Sequence, residues 1–148
     1  MSLESMYQEI ILEHYKHPQG KGLLPDFSAE VHHVNPTCGD EITLRASVDS
    51  DNKIHLSYDN QGCSISQASA SVMFELVDNQ TVEQAFAAEA AFLELMQSRG
   101  QLAGDEEILS DAVAFAGVSQ FPARVKCALL GWMAMKDAVS QIIRTEKP

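Results

Sequence analysis

The stretch 41-EITLRASVDSDNKIHLSYDNQG-62 decides how this chain folds. Two runs within it, 42–48 and 54–58, alternate apolar and polar residues, which is the pattern of strands with one buried face. The polar residues 50–53 between these runs predict a turn, so the two strands form an antiparallel hairpin. Upstream of the hairpin, the segment SAEVHHV at 28–34 predicts a third strand.

Segments with helical periodicity lie on both sides of these strands, and proline or glycine residues bound most of them. The predicted helices run from Leu3 to a loop at Pro18, from Gly62 to about Leu76, over 81–100, from Asp105 to about Gly117, and from Pro122 to about Arg144. Strands followed by helices predict an α+β fold, with a small antiparallel sheet covered on one face. No repeat or low-complexity linker interrupts the sequence, so we expect a single domain over 1–148.

The charge of the chain limits the classes of partner. Its 148 residues include 10 basic and 21 acidic side chains, which give a formal net charge of −11. Such a surface repels phosphate groups, so we expect no nucleic acid and no membrane partner. The first 17 residues lack the apolar run of a signal peptide, and no segment has the roughly 18 uncharged apolar residues of a membrane span. We therefore expect a cytoplasmic protein.

The three cysteines, Cys38, Cys63 and Cys127, all lie where one predicted element gives way to another. Three thiols cannot all pair within one chain, and a reducing cytoplasm favours metal binding or thiol chemistry over disulfides. Their separations do not match the CxxC pairs of zinc fingers, so a shared site must be assembled by the fold. The alternative, three unrelated buried cysteines, stays open at this point.

Asp40 is the fourth candidate ligand. Gly39 allows the backbone to turn so that Cys38 and Asp40 face one point. Together with Cys63 and Cys127 they would form a set of three sulfurs and one oxygen, which suits Zn²⁺ or an iron–sulfur cluster. An oxygen ligand among thiolates also predicts a site that can open. We expect Asp40→Ala to leave the chain folded, at a cost within about 1 kcal/mol apart from the metal, while it impairs the chemistry of the site. The alternative is that Asp40 is only a turn residue that caps its own backbone.

Arg124 is a candidate to offset the negative charge of such a site. It precedes Cys127 by three residues and so shares its helix face, whereas Lys126 points roughly 100° away. The alternative is that both cations belong to a solvated helix face.

Four segments, in this order, resemble the IscU/NifU N-terminal-like family of iron–sulfur cluster assembly proteins, and specifically its SufU branch. They hold every cysteine and extend over nearly the whole chain. The segments are MYQEIILEHYKHPQGKG at 6–22, NPTCGD at 35–40, GCSISQASAS at 62–71 and FPARVKCALLGW at 121–132. The resemblance implies a three-stranded antiparallel sheet packed against helices.

The resemblance also implies a ligand set. The family's metal- or cluster-binding positions fall on Cys38, Asp40, Cys63 and Cys127. Two features distinguish this chain from IscU scaffolds and favour the SufU branch. Lys126 stands where IscU scaffolds have a histidine, and the segment 78–118 resembles the SufU insertion.

The implied function is that of a zinc-dependent sulfur acceptor and carrier, sulfurtransferase-like rather than an enzyme with a small-molecule product. It would take persulfide sulfur from a SufS-type cysteine desulfurase and pass it to a SufBCD-type scaffold. Cys38 is the predicted sulfur acceptor, with Arg124 assisting, because its loop is more accessible than the helix starts that carry the other thiols. Two alternatives stay open: a scaffold for a labile iron–sulfur cluster on the same ligands, and a structural zinc module that only binds another protein.

Overall fold

The computed structural model describes residues 2–146 and contains one antiparallel sheet of three strands in the order β1-β2-β3. The strands are β1 Ala29–Asn35, β2 Asp40–Val48 and β3 Ile54–Gln61. Asn35 pairs with Asp40 at one end of the sheet, and Val48 pairs with Ile54 at the other. The predicted three-stranded sheet is confirmed. Because the alternation places every apolar side chain of β2 on one face, that face becomes the floor of the core.

The helices lie over the buried face of this sheet. They are α1 Leu3–Lys16, α2 Ser64–Val77, α3 Val82–Gln97, α4 Glu106–Leu109 and α5 Pro122–Glu146. The long α5 packs directly on β1 and β2, while α2 lies between α5 and α1. Among residues 2–146, no helix combines the length and the apolar character needed to cross a bilayer.

One predicted helix differs in form. The segment from Asp105 begins as a single α-helical turn, α4, and then continues as a 3₁₀ helix over Ser110–Gln120. The change occurs at Ser110, whose φ is 47°. The consecutive residues 112–115 are all buried, so this segment packs against its neighbours on several sides. The helix predicted from Asp105 to about Gly117 is therefore present, but most of it is 3₁₀ rather than α-helical.

Trp132 of α5 lies at the centre of the helical layer. Its ring stacks on Phe92 of α3 with a centroid distance of 4.5 Å and an interplanar angle of 13°. Its indole N–H donates to Ser69 Oγ of α2 at 3.1 Å, and the Ser69 hydroxyl donates to the carbonyl oxygen of Ala128 at 2.6 Å. These contacts join three helices, so the segment that carries α3 is part of the core.

Candidate metal centre

The turn between β1 and β2 carries two of the predicted ligands, Cys38 and Asp40. The chain reverses between the paired residues Asn35 and Asp40, and Gly39 has the positive φ, 68°, that this reversal requires. The Cys38 N–H donates to the carbonyl oxygen of Asn35 at 3.3 Å. The Cys38 side chain is exposed, whereas that of Asp40 is buried with 1% of its surface exposed. The turn therefore presents one accessible thiol beside one enclosed carboxylate.

Cys63 and Cys127 approach the turn from two helices. Cys63 is the N-cap of α2, and its Sγ accepts from the Ser66 N–H at 3.4 Å. Its own N–H donates to Asp40 Oδ1 at 2.8 Å, and this hydrogen bond links the N-terminus of α2 to the start of β2. Cys127 lies in the second turn of α5 and is buried. The helix packing thus delivers both thiols to the same end of the sheet.

Three of the four predicted ligands form a tight group. Sulfur atoms of Cys38 and Cys127 are 3.2 Å apart, and these two residues and Asp40 offer ligand atoms that all lie within 4.8 Å of one another. Cys63 lies at the edge of this group: its Sγ is 3.9 Å from Asp40 Oδ2, but it is not within 4.8 Å of all three. The fold therefore brings together side chains that are far apart in the sequence.

Burial controls the proton on the innermost thiol. It raises the pKa of the Cys127 thiol well above its usual range, and hydrogen bonding with Cys38, Asp40 and Cys63 raises this pKa further. Burial therefore favours the neutral form of this thiol, whereas a metal ion binds the thiolate. Metal binding at this centre must therefore release protons.

The donor set fits a small tetrahedral ion. Zinc–sulfur bonds of about 2.3 Å place two sulfurs on one zinc about 3.8 Å apart. The 3.2 Å between the Cys38 and Cys127 sulfurs is shorter than this value, so the two sulfurs have to move slightly apart to bind one zinc. Three sulfurs with one carboxylate suit Zn²⁺, and thiolates are also the ligands of iron–sulfur clusters.

A model of the NifU-like N terminal domain matches residues 6–128, and this range includes all four predicted ligands. The chain belongs to this family. The chain is similar to the zinc-dependent sulfurtransferase SufU of Bacillus subtilis, which is 41% identical over 140 residues that cover 95% of this chain and 93% of the relative. The iron-sulfur cluster assembly scaffold protein IscU of Streptococcus pyogenes serotype M1 is 37% identical, over 94% of this chain and 86% of its own.

Solved structures of this NifU-like family have the same fold. The SufU crystal structure from Fervidobacterium islandicum AW-1 matches with a TM-score of 0.81 and 30% identity, over 93% of this chain and 99% of that chain. The N-terminal part of a nitrogen-fixing NifU-like protein from Brucella abortus matches with a TM-score of 0.84 and 25% identity, over 96% of this chain and 97% of that chain. The fold assignment thus agrees with two independent crystal structures.

Asn35 also belongs to this candidate metal centre, although its residue type and spacing did not predict it. Its side-chain N–H₂ donates to Asp40 Oδ2 at 3.2 Å and to Cys127 Sγ at 3.5 Å, and the residue is buried. The only signal in the sequence was its place at the start of the NPTCGD motif. Because the amide contacts two ligands, it fixes their relative orientation.

Asp40 is more enclosed than the surface-turn alternative assumed. Its carboxylate accepts from the Cys63 N–H and from the Asn35 amide, and it is buried. Truncation would remove the acceptor of the part-buried Cys63 N–H and one of the two acceptors of the buried Asn35 amide, and an unsatisfied buried group costs about 1–3 kcal/mol. The expectation of a nearly neutral Asp40→Ala change is therefore corrected.

The Arg124 side chain lies over Phe121, in a groove that it lines together with residues of α1 and of the 3₁₀ helix. Its guanidinium carbon is 5.6 Å from the centroid of the Phe121 ring, and its side chain is exposed. Within residues 2–146, no hydrogen bond or ion pair joins Arg124 to the four ligands. Lys126 is exposed as well. The assisting role of Arg124 stays a prediction.

We expect Gly62→Ala to damage the centre. The φ of Gly62 is 135°, and an added Cβ would overlap the Asp40 carboxylate and lie 2.7 Å from Asp40 Cα. Backbone strain of this kind costs about 1–3 kcal/mol, and the clash displaces a ligand. Native mass spectrometry should show zinc affinity at least tenfold weaker.

Gly22→Ala is the matched control for this change. Its φ is 129°, but a Cβ there would meet nothing within 4 Å. We expect this control to lose some stability in denaturant unfolding while it keeps the zinc affinity of the unmodified chain. Equal zinc binding by the Gly62→Ala and Gly22→Ala variants would contradict the clash with Asp40.

Proposed function

We propose that this protein is a zinc-dependent sulfur acceptor and carrier in iron–sulfur cluster assembly, acting as a SufU-type protein. It takes sulfur from a SufS-type cysteine desulfurase and passes it to a SufBCD-type scaffold. The observation that supports this most is the asymmetry of the cluster. One exposed thiol, Cys38, lies 3.2 Å from the buried thiol of Cys127, beside a buried carboxylate.

The exposed thiol of Cys38 matches the geometry of persulfide transfer. Its thiolate attacks the outer sulfur of the donor's persulfide, a new S–S bond forms on Cys38, and the donor's S–S bond breaks. The electron pair of the broken bond leaves with the donor cysteine as a thiolate. Only a sulfur on an accessible segment can meet a donor that is carried by another protein, and Cys38 lies on a solvent-facing turn.

Cys38, Asp40, Cys63 and Cys127 are the residues that would hold zinc. When bound, zinc keeps cysteine sulfurs in the nucleophilic thiolate form at neutral pH. The chain itself holds Asp40 in place through the Cys63 N–H and the Asn35 amide. Because Gly39 separates Cys38 from Asp40, the exposed thiol can move while the carboxylate stays fixed.

A cluster scaffold on the same ligands is the second candidate function. It is favoured by two relatives named IscU scaffold proteins, at 37% and 35% identity. A structural zinc module is the third. Protein purified in air distinguishes the scaffold from the others, because a carrier or a zinc module is colourless with about one zinc, whereas a scaffold turns brown with iron and sulfide.

Mass spectrometry after incubation with a cysteine desulfurase and cysteine tests the carrier function directly. We expect the intact mass to increase by one sulfur atom only when both desulfurase and cysteine are present. Protein incubated with cysteine alone, or with free sulfide, is the control. If the mass never increases although zinc is bound, the carrier function is wrong, and the iron and sulfide test then distinguishes the scaffold from the zinc module.

We expect Arg124→Ala to slow sulfur transfer by about 10–100-fold. A charge-assisted contact to the freed thiolate or to Asp40 contributes about 1.5–3 kcal/mol when shielded from water. Since the guanidinium now lies over Phe121, the side chain has to change rotamer to reach either group. Single-turnover persulfide formation, followed by alkylation and quenching, measures the rate.

Lys126→Ala is the matched control, because it removes the same charge from the same exposed turn of α5. Its rate should stay within about twofold of the unmodified protein. If both variants are slowed equally, only the net charge of this surface matters, and Arg124 has no particular role.

A further inference from the structure

A second group of potential ligands lies outside the thiol cluster and shares no residue with it. His14 of α1, Glu75 of α2 and Asp111 of the 3₁₀ helix offer ligand atoms that lie within 4.8 Å of one another. His14 is 6% exposed, whereas Glu75 is exposed and Asp111 is partly exposed. The group therefore joins a buried imidazole to two carboxylates that solvent can reach.

The imidazole of His14 is held in the orientation of a metal ligand. Its Nδ1 lies 2.8 Å from Ser71 Oγ, and the same oxygen accepts from the Gln19 N–H at 2.8 Å. Its Nε2 lies 3.1 Å from Asp111 Oδ2. Metal-binding histidines are characteristically fixed by a polar contact at the ring nitrogen that does not bind the ion. Ser71 supplies that contact, and Nε2 points toward the carboxylates.

The surroundings of the imidazole are negatively charged. Besides Asp111, the groove beside His14 is lined by Glu9 and Glu13. In the described part of the chain, no lysine or arginine forms an ion pair with any of these carboxylates or with Glu75. A cation placed between the carboxylates would relieve their mutual repulsion.

We propose that His14, Glu75 and Asp111 form a second metal site, which binds one divalent transition-metal ion through nitrogen and oxygen. Two ligands at about 2.1 Å and at right angles on one ion lie about 3 Å apart, close to the 3.1 Å between His14 Nε2 and Asp111 Oδ2. The remaining positions are open to water. The ion ties the 3₁₀ helix and α1 to α2.

Mn²⁺ is the probe for this site, because it prefers oxygen and nitrogen ligands to thiolates. The full chain is first loaded with one equivalent of zinc, which fills the thiol cluster, and Mn²⁺ is then titrated. The electron paramagnetic resonance signal of aqueous Mn²⁺ decreases as the ion binds. We expect one Mn²⁺ per chain, with an imidazole nitrogen detected next to the bound ion by pulsed measurements.

Isosteric variants identify the ligands without removing the buried imidazole. Asp111→Asn and Glu75→Gln should each weaken Mn²⁺ binding at least tenfold, and circular dichroism checks that both remain folded. Glu9→Gln is the matched control, since it removes a charge from the same groove but no ligand, and its affinity should stay within about twofold. Absence of Mn²⁺ binding, absence of the nitrogen signal, or equal weakening by Glu9→Gln overturns the proposal.

Discussion

Replacing Cys38 by alanine is expected to reduce persulfide formation at least a hundredfold while the protein stays folded. The reason is access, because Cys38 is the exposed thiol of the cluster, whereas Cys63 is half-buried and Cys127 is buried. The Cys38 side chain occupies a turn outside the core, so its loss affects stability mainly through the metal. The measurement is a single turnover with the desulfurase, followed by alkylation and peptide mapping of the persulfide.

Cys63→Ala and Cys127→Ala are the controls for this experiment. All three variants should bind zinc more weakly, because the sulfurs belong to one cluster. Each variant should also have a lower melting temperature than the zinc-loaded protein, since metal that binds only the folded state stabilises it by mass action. Sulfur found first on Cys63 or Cys127, with Cys38 unmodified, would contradict the assignment. Zinc loss at only one position would contradict a shared centre.

Trp132→Ala should lower the free energy of unfolding by about 3–5 kcal/mol. The ring is fully buried, stacks on Phe92, and donates its N–H to Ser69, so truncation leaves a cavity and removes a hydrogen bond. Because α3 packs on α5 through this stack, the substitution also destabilises the segment between Cys63 and Cys127. Denaturant unfolding followed by far-ultraviolet circular dichroism measures the change.

Two further variants separate the contributions of Trp132. Trp132→Phe keeps an aromatic ring against Phe92 but removes the N–H donor, so its cost should be well below that of alanine. Phe121→Ala removes an aromatic ring that is 53% exposed, and it should cost no more than about 1 kcal/mol. If Trp132→Ala costs as little as Phe121→Ala, the stack does not hold the helices together.

Much of the fold could be predicted from the sequence because its periodicities are simple. The alternation over 42–48 and 54–58 corresponds to strands with one buried face, and the helix that starts at Pro122 was predicted correctly. The segment 105–117 was predicted less well. Its apolar residues are contiguous and buried on several sides, so they show neither the two-residue period of a strand nor the 3.6-residue period of an amphipathic helix. The sequence pattern therefore does not distinguish an α-helix from a 3₁₀ helix.

The metal centre was only partly within reach of sequence reasoning. The role of Gly39 followed from local chemistry, and its φ of 68° agrees with it. The convergence of the cysteines depends on how α2 and α5 pack on the sheet, which no spacing encodes. Asn35 was missed for the same reason, because one of its two partners, Cys127, arrives from a helix 92 residues later.

The position of Trp132 gives the molecule a built-in optical probe. It is the single tryptophan of the chain, so all indole fluorescence comes from one place. Through the Ser69 hydroxyl, the indole is connected to the backbone of Ala128, the residue next to Cys127. A small shift of α5 against α2 at the sulfur end changes the polarity felt by the ring and hence its emission. Stopped-flow fluorescence can therefore follow rearrangement of the centre in real time, without any label.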